Sequence, residues 1–342
     1  CLHRPCPDVM TELSNLAEAL IQVALDQVWI ELEDDASDAS AVQSARDNLC
    51  ILAFGKLGGG ELNYSSDIDL VGICRDFDEV APSPACGAGA YARFAAKAME
   101  RLRRALSAST PAGYVYRVDF RLRPYGQSGI LVHPLSSLLN YYEKTASLWE
   151  IQALLKMRAV AGASEVGERF MSGVGHVFQN PREPEEIVSS IDSMRAAGIR
   201  AVSRRRLKKT DLKSGLGGIR DVEFLVQGLQ LLHLPRTPEL LTPNTLEALE
   251  RLERSSILQP ETAGQLASDY LFLRRVEHFL QLFEDRQVHA LPPSPEAIHA
   301  LAKRVIGLQA DGDTFLDTLN ACRERVRTAY ETFLLNLTGS GS

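Results

Sequence analysis

The sequence predicts an α+β protein: a small mixed sheet with helices on one side, followed by helical subdomains. Two apolar runs, residues 51–54 and 70–74, have the length of buried strands and enclose a cluster of glycines. From residue 134 onward, the apolar residues recur almost only at helical spacing. The chain of 342 residues is long enough for two or three domains or subdomains.

The other elements follow in chain order. Residues 8–33 have helical spacing, and residues 34–47, rich in Ser, Ala and Asp, indicate a mobile surface connection. Residues 75–89 are rich in Pro, Gly and Ala and predict a loop, after which residues 91–106 form a basic amphipathic helix over the sheet. Residues 113–122 alternate apolar and polar side chains, which is the period of a half-buried strand.

Asp67 and Asp69, at the start of the second apolar run, are the strongest catalytic candidates. Alternate residues of a strand point to the same side, so we expect their carboxylates to be adjacent and to need a divalent cation. Upstream, Gly58 and Gly59 would let the backbone approach a phosphate and donate N–H groups to it, with Ser66 as a further ligand. Asp-x-Asp or Gly-Gly alone is common in surface turns, but the combination is typical of phosphoryl or nucleotidyl transfer.

Asp119 is the third candidate acid. It shares one face of the alternating segment with Arg117 and Arg121. One interpretation is a solvated strand face that is stabilised by pairing between arginines and the aspartate. The other is that Asp119 completes a metal site of three carboxylates, while the arginines bind phosphates bidentately. Both interpretations are compatible with the sequence.

The composition narrows the class of protein. The net charge of −7 disfavours a nucleic-acid partner, whose binding surface would be basic. The six cysteines show no zinc or redox spacing, which favours reduced thiols and a cytoplasmic location. We find no secretory segment and no apolar run of membrane length, so no membrane association is expected.

Three longer motifs occur in order: GKLGGGELNYSSDIDL at 55–70, VYRVDFRLRPYGQSG at 115–129 and GLGGIRDVEFLVQ at 215–227. Together they closely resemble the bacterial glutamine-synthetase adenylyltransferase/adenylyl-removing enzymes, which belong to the DNA polymerase β-like nucleotidyltransferase superfamily. The resemblance runs from about residue 51 to about residue 291. Members carry two related nucleotidyltransferase halves, and the single glycine-and-aspartate module of this chain resembles one half.

The resemblance implies a division of the chain and further site residues. The segments are an N-terminal helical segment and loop at 1–48, a nucleotidyltransferase catalytic domain at 49–160, a helical domain completing the active-site cleft at 161–338, and an appended tail at 339–342. At the nucleotide site the resemblance implies Lys156, Arg158, Gly217, Gly218, Arg220 and Glu223. The two glycines precede a predicted helix whose first N–H groups could bind an anion.

The resemblance also implies the chemistry. In this family the amino-terminal half removes AMP from a tyrosine of glutamine synthetase by phosphorolysis, with phosphate consumed and ADP released, and the carboxy-terminal half attaches AMP from ATP. The amino-acid sequences at residues 116–119, 216–220 and 270–275 resemble the removing half more than the attaching half. Asp67, Asp69 and Asp119 would hold Mg²⁺, or alternatively Mn²⁺. Expected partners are glutamine synthetase, a PII-type signalling protein and the other half of a larger polypeptide.

Two other classes stay open: an ATP-dependent adenylyltransferase, and a non-catalytic module that binds nucleotide and a PII-type regulator. Two polar features also have alternative interpretations. In the helix predicted at 270–284, the face of Arg274, Glu277, His278 and Gln281 is expected in water rather than in a cleft. The basic cluster at 204–209 is expected to be a solvated helix end, with a docking surface for an acidic partner or a phosphate clamp as alternatives.

Overall fold

Helices and one small sheet make up the described part of this computed structural model. The described residues are 4–77, 79–80, 88–111, 113–204, 210–284 and 288–339. The chain forms two compact units. The sheet unit contains Thr11–Leu62 and Ser66–Phe178, and the helical unit contains Cys1–Met10, Asn63–Ser65 and Gln179–Ser342. The sheet unit ends at Phe178. The domain boundary predicted after residue 160 stays a prediction, because a compact unit defined by contacts is not the same as a functional domain.

The sheet unit holds a central sheet and its covering helices. Its elements are α1 Cys6–Asp35 (from Thr11 onward), α2 Ala39–Asn48, β1 Leu49–Phe54, α3 Gly55–Gly58, β2 Ile68–Cys74, α4 Ala88–Ser107, β3 Val118–Asp119, β4 Val132–Pro134, α5 Leu135–Lys144, α6 Leu148–Leu154, β5 Arg158–Gly162 and α7 Ser164–Gln179.

The helical unit consists of α8 Pro184–Arg204, α9 Ile219–His233, α10 Thr245–Arg254, α11 Pro260–Glu284, α12 Pro295–Val305 and α13 Gly312–Gly339. Its core includes the buried side chains of Val222, Tyr270 and Phe315. None of the helices in the described ranges is long and apolar enough to cross a membrane.

The sheet is mixed, as predicted. β1 pairs antiparallel with β2 on one side and with β5 on the other, whereas β3 and β4 each pair parallel with β2. The register places Asp69 opposite both Phe54 and Asp119. The strand pattern therefore brings the second and third candidate acids next to each other.

The hydrophobic core lies between the sheet and three helices. Leu49, Ile51 and Ala53 of β1 pack in one cluster with side chains of α1, α2 and α4. Their neighbours along the strand point the other way, and Cys50 lies against Gly167 of α7. All six residues of β1 are buried, so the prediction of helices on one side only is wrong for this strand. Cys50 is a free thiol, and burial raises its pKa to about 12.

The predicted connection at 34–47 is wrong for most of its length, because α2 covers residues 39–48. The Asp38 carboxylate accepts the N–H of Ala41 at 3.1 Å and so caps the helix. The buried residues of α2 are Ala41, Val42 and Ala45. Small alanines give a weak hydrophobic period, which is why the spacing did not indicate a helix.

One further expectation needs correction. The strand predicted at 113–122 is reduced to the two residues of β3, with Tyr114 and Val115 both exposed before it. After residue 134 the described elements are almost only helices, as predicted, and the exception is β5, which extends the sheet beside β1. β5 pairs with a strand about a hundred residues earlier, and such long-range pairing leaves little local signal.

Candidate active site

The structure brings Asp67, Asp69 and Asp119 together where β2 and β3 run side by side. Asp67 directly precedes β2, and Asp69 and Asp119 are partners in the parallel register. Neighbouring strands lie about 4.8 Å apart, so the acids of adjacent strands are close enough to act on one ligand. The register thus brings Asp69 and Asp119 together, and a metal site of three carboxylates stays a prediction.

Gly55 makes room for one of these carboxylates, a role that the sequence reasoning missed. Its φ angle is +59°, in the left-handed region, and it directly follows β1. A Cβ at this position would lie 2.9 Å from Oδ2 of Asp69. Both the backbone conformation and the space therefore require glycine. A glycine immediately after a buried strand was the available signal.

Asp67 and Asp119 each accept hydrogen bonds from an arginine. Nε of Arg117 donates to Oδ1 of Asp67 at 2.5 Å, and Arg117 also contacts the hydroxyl of Tyr114. Nε of Arg121 donates to Oδ2 of Asp119 at 2.7 Å, and the Arg121 N–H donates to Oδ1 at 2.8 Å. Partial burial raises the pKa of Asp119, but the hydrogen bonds and charge of Arg121 outweigh it, so the pKa lies below its usual value.

These pairs line a cleft of about 390 Å³, which we call the arginine cleft. It is lined by Asp67, Arg103, Arg117, Val118, Asp119, Phe120, Arg121, Arg123 and Gln127. Arg103 of α4 and Arg123 were not predicted. Arg123 donates to the carbonyls of Phe120, Gln127 and Gly129 and so holds the loop after β3. The only sequence signal for Arg103 was the basic character of its helix.

The three acids fit a divalent cation in part. Carboxylates are the oxygen ligands that Mg²⁺ prefers, and Asp69 lies in the space that Gly55 leaves. Among the residues that the structure describes, however, no three His, Cys, Asp or Glu side chains are arranged to hold a metal ion. Asp67 and Asp119 are instead directed at Arg117 and Arg121. A cation would have to replace these arginines as the partners of the two acids.

The glycine turn after β1 has close contacts of its own. The N–H of Gly59 donates to the Gly55 carbonyl at 3.0 Å. A Cβ on Gly58 would lie 2.0 Å from the carbonyl oxygen of Lys156, so this packing by itself requires glycine. Ser66 is buried beside Asp67. Phosphate binding by Gly58, Gly59 and Ser66 stays a prediction.

Lys156 and Arg158 surround the same turn. The Lys156 ammonium forms a buried ion pair with Glu61, whose side chain has no exposed surface. Arg158 pairs with Glu18 and donates to the carbonyls of Leu57 and Gly58, at 3.2 and 3.3 Å. Both cations thus stabilise the turn in this structure, and their contact with nucleotide stays a prediction.

The remaining predicted residues lie in the helical unit, at the start of α9. The N–H of Gly217 donates to the Asp221 carboxylate at 2.8 Å. This N–H group is therefore already bonded to a carboxylate of α9 itself. Gly218 is the N-cap residue, and a guanidinium nitrogen of Arg220 lies 3.4 Å from the Ser214 hydroxyl. Glu223 is half-buried on α9. Nucleotide binding by these four residues stays a prediction.

The polar face of α11 is buried, so the expectation of a solvated face is wrong. Arg274 and Glu277 have no exposed surface, and the amide of Asn63 bonds to both of them, at 2.5 Å each. Gln281 accepts the N–H of Ser65 at 3.3 Å. The face therefore holds residues 63–65 within the helical unit. Of the basic cluster at 204–209, residues 205–209 lie outside the described residues, as does the side chain of Arg204.

A glycine turn, an Asp-x-Asp strand and a third aspartate on the adjacent strand form a pattern that is typical of phosphoryl and nucleotidyl transfer sites. The profile of the glutamate-ammonia ligase adenylyltransferase family matches residues 3–173, half of the chain, and the chain belongs to this family. A second profile, GlnD PII-uridylyltransferase, matches residues 190–334.

Curated relatives agree with the profile. The chain is 39% identical over 327 residues to the bifunctional glutamine synthetase adenylyltransferase/adenylyl-removing enzyme of Methylococcus capsulatus, covering 94% of this chain and 33% of the relative. The enzyme of the same name from Streptomyces avermitilis is 36% identical, covering 90% of this chain and 29% of the relative. The chain thus spans about a third of the length of these relatives.

Proposed function

We propose that this chain removes AMP from an adenylylated tyrosine of glutamine synthetase by phosphorolysis. The supporting observation is that Arg117 and Arg121 lie in the arginine cleft together with Asp67 and Asp119. Phosphorolysis needs a separate place for inorganic phosphate beside the reacting phosphorus. ATP-driven transfer brings all its phosphates in one molecule. Arginines next to the acids can bind inorganic phosphate. Removal of AMP by phosphorolysis needs such a site, whereas attachment of AMP from ATP does not.

The reaction balances without a further reactant. An oxygen of hydrogen phosphate attacks the phosphorus of the AMP group, and the bond from that phosphorus to the tyrosine oxygen breaks. The products are ADP and tyrosine, and the proton carried by hydrogen phosphate ends on the phenolate. Phenol has a pKa of about 10, so phenolate is a fair leaving group. Strong general acid catalysis by the protein is therefore not required.

The side chains at and beside the cleft take distinct roles in this proposal. Asp67, Asp69 and Asp119 would hold one or two Mg²⁺ or Mn²⁺ ions, whose charge would neutralise that of the phosphates. Arg117 and Arg121, now paired with Asp67 and Asp119, bind the oxygens of the attacking phosphate. Gly58, Gly59, Ser66, Lys156 and Arg158 of the sheet unit are kept as candidate nucleotide and phosphate ligands.

The partners follow from the relatives. Their name includes glutamine synthetase, which we propose as the protein substrate. Because a GlnD PII-uridylyltransferase profile matches the helical unit, we also propose that a PII-type signalling protein binds there. The chain spans about a third of its relatives, so the complementary reaction is proposed for another part of a larger polypeptide.

The test supplies the whole chain with one of two substrate sets. Adenylylated glutamine synthetase with phosphate should release ADP, and the same mixture without phosphate should release none. Unmodified glutamine synthetase with ATP should release no pyrophosphate. Pyrophosphate without ADP would reassign the chain to attachment, and activity in neither direction would favour a non-catalytic regulatory module.

A further inference from the structure

The arginine cleft carries more positive charge than its acids neutralise. Four guanidinium groups and two carboxylates line it, and Asp69 adjoins Asp119 in the strand register, which leaves one positive charge in surplus. Guanidinium groups stay charged in proteins. A small cleft with surplus positive charge has the electrostatics of an anion site.

Three of the four arginines already have partners. Arg117 bonds to Asp67, Arg121 bonds to Asp119, and Arg123 bonds to backbone carbonyls of its own loop. Arg103 differs from them, because within the described ranges no hydrogen bond or ion pair engages its exposed guanidinium. It is therefore the cleft arginine that can bind a ligand without first giving up a protein contact.

The helix gives Arg103 a fixed position. Its neighbours Met99, Leu102 and Leu106 on α4 are buried in the core of the sheet unit. These contacts hold the helix, so the guanidinium is presented to the cleft from a packed element and not from a loop. The backbone of a packed helix is already ordered, so ligand binding costs only the conformational freedom of the Arg103 side chain.

We propose that Arg103 is a binding residue for the phosphate dianion and makes its first contact in the arginine cleft. This rests on the proposed phosphorolysis and deepens it, since it names a residue that recruits the attacking phosphate. Arg117 and Arg121 would join the contact only after giving up Asp67 and Asp119. Without metal, phosphate binding should therefore depend on Arg103 more than on Arg117 or Arg121.

Titration of inorganic phosphate into the metal-free chain, followed by calorimetry, tests this directly. Arg103→Ala should weaken phosphate binding about 10- to 100-fold, as expected for the loss of hydrogen bonds from a charged group. Arg103→Lys should weaken it less, because it keeps the charge but loses the planar fork. Arg104→Ala is the matched control: it removes the same charge from the next residue of α4, which does not line the cleft.

Equal phosphate affinity in Arg103→Ala and Arg104→Ala would overturn the proposal. In the phosphorolysis assay, Arg103→Ala should raise KM for phosphate by a similar factor while kcat changes less than about twofold, as for a contact made equally in the ground and transition states. Unchanged thermal unfolding of the variant shows that its fold is intact.

The calorimetry also separates this proposal from the proposed function. Phosphate binding that depends on Arg103 supports the site even if the wild-type chain releases no ADP from adenylylated glutamine synthetase. ADP release with a phosphate KM that is unchanged in Arg103→Ala supports phosphorolysis and overturns the role of Arg103. Binding of pyrophosphate but not of phosphate to the wild-type chain would overturn the assignment of the dianion.

Discussion

The arginine cleft and the start of α9 both pair aspartate with arginine, but in opposite settings. In the cleft, the side chains of Asp67 and Arg117 are 36% and 39% exposed. At α9, Asp221 and Arg195 are only 3% and 12% exposed, and they are joined by two hydrogen bonds of 2.7 and 2.8 Å. The N–H of Gly217 and the ring of Tyr330 complete the surroundings of the second pair.

The difference distinguishes a cleft that is open to a ligand from a buried structural contact. At α9 both carboxylate oxygens of Asp221 accept hydrogen bonds from Arg195 and Gly217, so an incoming anion would have to displace a buried carboxylate. In the cleft the pairs face solvent, and an additional arginine, Arg103, lines the same space. Exposure and surplus charge, rather than the presence of glycines and arginines, indicate where a phosphate can bind.

Removing one of the candidate catalytic acids should have the largest effect. Asp67→Asn or Asp69→Asn should reduce turnover at least about 1000-fold at saturating Mg²⁺, because several kcal/mol of metal-dependent stabilisation are lost. The free energy of unfolding should change by less than about 1 kcal/mol for Asp67→Asn, since its ion pair is partly exposed. ADP release and urea unfolding measure the two effects.

Asp47→Asn, an exposed change on α2, is the control and should keep full activity. Near-normal turnover in Asp67→Asn or Asp69→Asn would show that the substituted acid is not catalytic. Its contacts would then be structural, like those at the start of α9.

Breaking the buried pair of Asp221 and Arg195 should lower the free energy of unfolding rather than the turnover. Asp221→Asn leaves the charge of Arg195 buried beside a neutral amide, and we expect the free energy of unfolding to fall by about 3 kcal/mol. Urea unfolding measures this. Glu250→Gln breaks the exposed pair with Arg254 on α10 and should cost less than about 1 kcal/mol. A similar small cost for Asp221→Asn would contradict the contrast between the two settings.

Substitution of Arg117 should raise the concentration of phosphate that gives half-maximal ADP release. Arg117→Ala removes a charged contact to the attacking phosphate and should raise the half-saturating concentration about tenfold, with a smaller change in affinity for adenylylated glutamine synthetase. Arg117→Glu should be worse, because a carboxylate repels the phosphate. Arg46→Ala, which breaks a surface pair with Glu33, is the control. Unchanged phosphate dependence in Arg117→Ala would exclude its role as a phosphate ligand.

The smallest effect concerns pH. The pKa of Asp119 is lowered in the folded protein, so its pairing stabilises the fold above the unfolded pKa of about 3.9 and is lost as pH falls through the lower folded value. Asp119→Asn should therefore reduce the free energy of unfolding by less than about 1 kcal/mol at about pH 7. The difference from wild type should shrink progressively as pH falls below about 3.9, as measured by urea unfolding. A difference that does not shrink with falling pH would show that the ion pair is not its source.

Local patterns were sufficient for much of the fold and of the site. The apolar runs at 51–54 and 70–74 became β1 and β2, and the helical spacing at 91–106 became α4. Asp67 and Asp69 were predictable because alternation along one strand is a property of neighbouring residues. Asp119 was predictable only as a candidate, since its position beside Asp69 depends on a strand register between segments that are far apart in sequence.

By itself, the sequence determined the class of the fold, the two central strands and the positions of Asp67 and Asp69 at the start of the second strand, because strand and helix periods and motif spacing are encoded by residues close together in the chain. The tertiary structure alone decided that Arg103 faces the cleft, that Lys156 pairs with Glu61, and that the polar face of α11 is buried. A charged side chain has the same local pattern in water, in an ion pair or in a cleft. Which of these it adopts depends on partners that the packing of distant segments supplies.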